Sequence, residues 1–170
     1  MKKLFYLLPV IMLILSCSNP KADNTQQQQY SMFNENLITA NKYLVKQDIE
    51  QINNYIKRRN WQMDTADGGI RYMITKHGEG LSVEQDPNVI LNYRIELLDG
   101  TLCYDSETDG KQNLVAGSSE MIVGLIKAFK FLRHGDEAVL ILPPHAAKGL
   151  VGDLNKIPPH SVIVYYLSIE

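Results

Sequence analysis

The order of local patterns between Val89 and Glu170 constrains this chain more than any other feature. Residues 89–98 (VILNYRIELL) alternate in the manner of a strand and stop at Asp99-Gly100. That dipeptide favours a tight hairpin turn, because glycine enters positive φ without steric cost. Thr101 to Tyr104 then opens the partner strand. Glu120 to Phe131 places Met121, Ile122, Leu125 and Phe129 at helical spacing. Glu137 to Leu142 alternates into Pro143-Pro144, and Val162 to Ile169 alternates again. Upstream, Ile70 to Thr75 is a β-branched and aromatic run between an Asp-Gly-Gly turn and the turn His77-Gly78-Glu79-Gly80. Together these segments predict an α+β domain, an antiparallel sheet of about five strands wrapped over one short helix.

The rest of the chain divides by composition. Met1 to Lys3 is a basic start, and Leu4 to Leu15 is an apolar run too short for a permanent membrane span. Ile14-Leu15-Ser16-Cys17 is similar to a bacterial lipobox. That resemblance implies a signal peptide over residues 1–16 and lipidation of Cys17, whose several acyl chains would hold the protein to a bilayer. Ser18 after the cysteine implies, by analogy with diderm sorting, an outer-membrane address facing the periplasm of a bacterial envelope. Residues 17–30 are polar and Gln-rich and read as a flexible tether. Residues 31–60 carry Phe33, Leu37, Ala40, Leu44, Ile52, Tyr55 and Ile56 near one helical stripe, with neither Pro nor Gly. The stripe weakens near Lys46 to Asp48, which leaves one helix or two open. This helical extension either packs on its own domain or pairs two chains as a homodimer. Residues 61–170 form the folded domain, with its core at 86–170.

Composition narrows the function classes. The net charge of −2 with no basic face argues against nucleic acid as a partner. His77, His134, His145 and His160 show no metal-ligand spacing, so no metal is expected. No G-x-G-x-x-G, P-loop or G-x-S-x-G occurs, and no cofactor is expected. Cys103 has no intramolecular partner once Cys17 is lipidated, so disulfides are not a structural device.

Three motifs in order are more specific: Tyr104-Asp105-Ser106 after the Asp-Gly turn, Gly117-x-x-x-Met121-Ile122-x-Gly124, and Ile157-Pro158-Pro159-His160 before the last strand. With them the chain resembles the FKBP-type peptidyl-prolyl isomerase family over about half its length. Residues 58–74 (RRNWQMDTADGGIRYMI) are similar to the gliding-motility-associated isomerase lipoproteins of Bacteroidetes. The resemblance implies a curved FKBP-like sheet and an apolar hollow that grips proline. It carries over Tyr93, Tyr104, Asp105, Ile122 and Tyr165 as catalytic-site residues, with the Ile122 backbone N–H binding a peptide carbonyl. It carries over Met121, Leu125, Lys148 and Ile157 as substrate-binding positions.

Departures from the family pattern fall inside that site. Leu125 stands where a tryptophan floor is usual, and Gln112 and Leu114 stand where aromatics are usual. Lys148 replaces a tyrosine that donates to the bound peptide, and one extra residue near Cys103 precedes Tyr104. Tyr93, Ile122 and Tyr165 also fit plain core positions, and Asp105 also fits a turn. Two functions therefore follow: a prolyl isomerase of low activity acting on exported clients, or a non-catalytic module that binds clients or partners in envelope assembly.

Overall fold

The computed structural model describes residues 21–119 and 121–170, with side chains from residue 26 onward. The signal peptide and Cys17 lie outside the described residues. Contacts divide the chain at Leu44 and Val45.

Helix α1 spans Lys21–Arg59 without a break. It starts inside the stretch read as a tether. Residues 21–30 hold neither Gly nor Pro, and Lys, Ala and Gln are sound helix formers. Described residues of α1 before Val45 leave Tyr30, Met32, Phe33, Leu37, Ile38 and Tyr43 exposed.

In the unit from Val45 to Glu170, α1 ends beneath a sheet built by β1 (Asp64–Ala66), β2 (Ile70–Lys76), β3 (Asn88–Leu97), β4 (Leu102–Asp105), β5 (Gln112–Val115), β6 (Glu137–Leu142) and β7 (Ile163–Ile169). The short helices α2 (Ser106–Asp109) and α3 (Val123–Ala128) interrupt the order, and a 3₁₀ turn covers Pro144–Ala146. The strands form one seven-stranded sheet in the order β1-β2-β6-β7-β3-β4, with β5 also on β3. Every pairing is antiparallel. The sheet thus has two strands beyond the five expected. Strands β1 and β5 are three and four residues long, too short to show a period.

Burial on both faces explains the composition of β6 and β7. Ala138, Leu140, Leu142, Ile163, Tyr165 and Leu167 enter the main core with α3 residues Leu125 and Ala128. Val139, Ile141 and Val164 enter a second core with Ile52 and Tyr55 of α1. A sheet covered on both sides reads as a near-continuous apolar run, as EAVLIL does. The last turns of α1 therefore pack on their own domain.

Two glycines are required by close approach. A Cβ on Gly124 in α3 would lie 2.6 Å from a Leu142 methyl and 2.9 Å from the Ala146 carbonyl oxygen. Gly152 has φ +73°, and a Cβ there would meet the Ile157 carbonyl oxygen at 2.2 Å. Helix α3 can thus seat against β6, and the loop after the 3₁₀ turn can fold back on itself.

Candidate active site

A cavity of about 200 Å³ opens between α3, strands β3, β5 and β7, and the loop from Ala147 to Val162. It contains six of the residues expected from the sequence: Met121, Ile122, Leu125, Lys148, Ile157 and Tyr165. Ile95, Gln112, Leu114 and Ile163 complete its lining. Ile95 and Ile163 lie in the alternating runs 89–98 and 162–169, and the sequence did not single them out. Gln112 and Leu114, noted as departures, line the same cavity, so the matching of positions located them although their side chains differ.

Each side chain arrives by a local cause. Met121 and Leu125 fall on the buried face around the start of α3. Ile122 takes extended backbone at the N-cap of that helix (φ −65°, ψ 144°). Tyr165 sits mid-strand in β7, paired with Ile95 of β3 and Leu140 of β6. Burial holds its phenol far above its ordinary pKa, so it is a neutral apolar surface here. Lys148 is exposed at the mouth.

Three expected residues do not join the lining. Tyr93 lies next to it, with its ring 6.0 Å from that of Tyr165. Burial raises its pKa, Asp109 adds to the shift, and a hydrogen bond with Gln112 opposes it. Tyr104 is half-buried, and its hydroxyl donates to the Asp153 carboxylate while Lys156 Nζ sits 4.6 Å over its ring. The physical reason is a bulge. Ile95 pairs with Tyr104 but Glu96 pairs with Leu102, so Cys103 is the extra residue. Cys103 is buried in the core with its thiol 3.4 Å from the Lys156 carbonyl, and Tyr104 is left at the margin. Asp105 caps α2, accepting from the Glu107 N–H at 2.8 Å while its own N–H donates to Asp109 at 3.0 Å. Its side chain serves the turn.

Sequence reasoning missed Asp153. Its Oδ1 accepts from the Ile157 N–H at 2.8 Å and the Asn155 N–H at 3.0 Å, and its other oxygen accepts from Tyr104. Burial works to raise its pKa, and these three donors outweigh it and hold the carboxyl below its ordinary value. The knot fixes Ile157 at the cavity. The only signal was the turn-forming pair Asp153 and Asn155 in a loop with two glycines.

Residues 80–170 match the family model described as FKBP-type peptidyl-prolyl cis-trans isomerase. The chain belongs to this family. The probable FKBP-type isomerase FkpA of Neisseria meningitidis is 32% identical over 101 residues, covering 59% of this chain and 37% of that protein. The isomerase Mip of Chlamydia trachomatis is 24% identical over 135 residues, covering 79% of this chain and 50% of that one. The chain thus spans about half or less of the length of these relatives. Among solved structures, FkpA from Escherichia coli aligns with a TM-score of 0.63 at 20% identity, over 96% of this chain and 76% of that one. AtFKBP13 aligns with a TM-score of 0.59 at 20% identity, over 64% of this chain and 96% of that one. Both likenesses establish the FKBP-like fold.

Proposed function

We propose that this chain is a membrane-tethered peptidyl-prolyl cis-trans isomerase acting on Xaa-Pro bonds of exported proteins. The observation that carries the reading is the cavity of about 200 Å³, whose apolar side chains include Leu125, Tyr165, Ile122 and Ile157 and whose polar ones are Gln112 and Lys148. Rotation about a peptide bond faces a barrier of about 18–20 kcal/mol because resonance stabilises the planar amide. The planar form separates more charge, and water stabilises that charge. A cavity that grips the proline ring and strips water from the amide favours the twisted form, and each 1.36 kcal/mol of that preference is about tenfold in rate. No nucleophile or metal is needed.

Leu125 and Lys148 argue for a low rate on short peptides. A leucine floor is smaller and less flat than an indole. A lysine ammonium is a mobile point charge at a position where a fixed hydroxyl would donate better. The same two residues favour a second reading, a non-catalytic module that uses the cavity to hold clients or partners in envelope assembly. The lipobox-like residues Ile14 to Cys17 support a lipid anchor, and Ser18 after them supports an outer-membrane address with the domain facing the periplasm. The exposed apolar side chains of α1 before Val45 support pairing with a second copy, since an isolated helix in water is marginal without a packed face.

A protease-coupled assay on a short Xaa-Pro peptide, with protein from Ser18 onward, tests the first reading. Acceleration over buffer at micromolar protein is the expected result. No acceleration, with protection of an aggregating client by the same preparation, selects the second.

A further inference from the structure

Asp48 is a carboxylate on α1 with 5% of its surface exposed. Buried carboxylates persist where a partner holds them. The partner is His160, whose Nε2 lies 3.1 Å from Asp48 Oδ1 across 112 residues of sequence. His160 has φ +52°, a left-handed backbone that crowds the Cβ of a non-glycine residue. Such a conformation survives where several contacts specify it together. Here the imidazole meets Asp48, and the His160 N–H donates to the Gly149 carbonyl at 3.1 Å.

We infer that Asp48 and His160 are positioning residues for the cavity, the contact through which the helical extension fixes the loop that carries Lys148 and Ile157. Gly149 adjoins Lys148 at the cavity mouth, so the His160 N–H ties that side of the loop. Ile157 lies three residues before His160, with only Pro158-Pro159 between them. Proline fixes φ, so a displacement at His160 passes to Ile157 with little slack. On the helix side, Asp48 stands one turn before Ile52, and Ile52 is buried against the outer face of the sheet. The carboxylate therefore has a rigid base. The inference rests on the reading of this cavity as a proline-binding site.

The test measures the Kd of an Xaa-Pro tetrapeptide by NMR titration, together with kcat and KM, on the full chain in detergent. Asp48→Ala is expected to weaken binding and raise KM about three- to tenfold, the scale of one charge-assisted hydrogen bond, with kcat changed less. Asp48→Asn keeps an oxygen that accepts from the same imidazole N–H, and is expected to stay within about twofold of the unsubstituted chain. Where Asp48→Ala does not fold, Asp48→Leu fills the same space without an acceptor. Unchanged binding in a folded Ala or Leu variant overturns the inference, as does an Asn variant as weak as the Ala variant. A chain with no isomerase activity defeats the functional reading and leaves a separate readout. Amide exchange at His160, measured without substrate, is expected to be faster in Asp48→Ala or Asp48→Leu than in the unsubstituted chain. Equal exchange overturns the positioning role.

Discussion

Replacing Asp153 by alanine removes one carboxylate that organises three groups. The Ile157 side chain is buried, and its N–H loses a 2.8 Å bond; an unsatisfied buried donor costs about 1–3 kcal/mol. The Tyr104 hydroxyl is half-buried and loses a charge-assisted bond, which adds about 1 kcal/mol. Asn155 is exposed, so water replaces the carboxylate there. Asp153→Ala should therefore destabilise the domain by about 2–4 kcal/mol, read as a lower urea midpoint with an unchanged slope. Tyr104→Phe should cost about 1 kcal/mol of that. The pH dependence has a definite sign. Tyr104 and the two backbone N–H groups hold the folded carboxyl below its ordinary value against the opposing effect of burial. A depressed carboxyl contributes its stability above the unfolded pKa of about 3.9 and loses it as pH falls through the folded value. The gap between Asp153→Ala and the unsubstituted chain should be constant from pH 5 to 7 and shrink below about pH 4. Equal urea midpoints at pH 7, or a gap undiminished in acid, would refute this account of the loop.

Three further outcomes can be stated. The double substitution Leu125→Trp and Lys148→Tyr should raise kcat/KM on an Xaa-Pro peptide about tenfold, the effect of roughly 1.4 kcal/mol at the transition state; an intact variant with no gain overturns the reading that these two positions limit the rate. His134 places Nε2 3.0 Å from the Asp86 carbonyl and Nδ1 2.8 Å from the Glu170 carbonyl. Only the protonated ring donates to both, and the Asp86 bond leads in raising its pKa while burial opposes. Its contribution should be complete below about pH 6.5 and fall as pH rises through the raised folded value, so His134→Ala should cost more at pH 5.5 than at pH 9 in urea titrations. Gly124→Ala should destabilise by about 1–3 kcal/mol, because the new methyl meets Leu142 and the Ala146 carbonyl with no space to spare; a thermal midpoint matching the unsubstituted chain would show that α3 shifts freely.

Much of the cavity was legible. Met121, Ile122, Leu125, Lys148, Ile157 and Tyr165 were placed by matching motifs, and all six line it. Position survived even where chemistry changed, as at Leu125, because the backbone path of α3 and the loop depends on glycines and prolines rather than on the floor residue. Tyr104 and Asp105 were less legible. A single inserted residue was visible near Cys103, but only the pairing register shows which side chain the bulge carries into the core. Asp153 escaped because a carboxylate in a polar loop looks solvated until its three donors are seen together.

The alternation along β3, the continuous apolar runs of β6 and β7 and the spacing within α3 follow from the stereochemistry of neighbouring residues, so a reader of the chain alone could assign these elements. The same holds for the turns, where glycine and proline act within a few bonds. The meeting of Asp48 with His160, and of Tyr104 with Asp153, depends on register, a bulge and the packing of a helix on a sheet. Those contacts join residues far apart in the chain, and no local preference encodes their distance; they exist only once both faces of the sheet are covered.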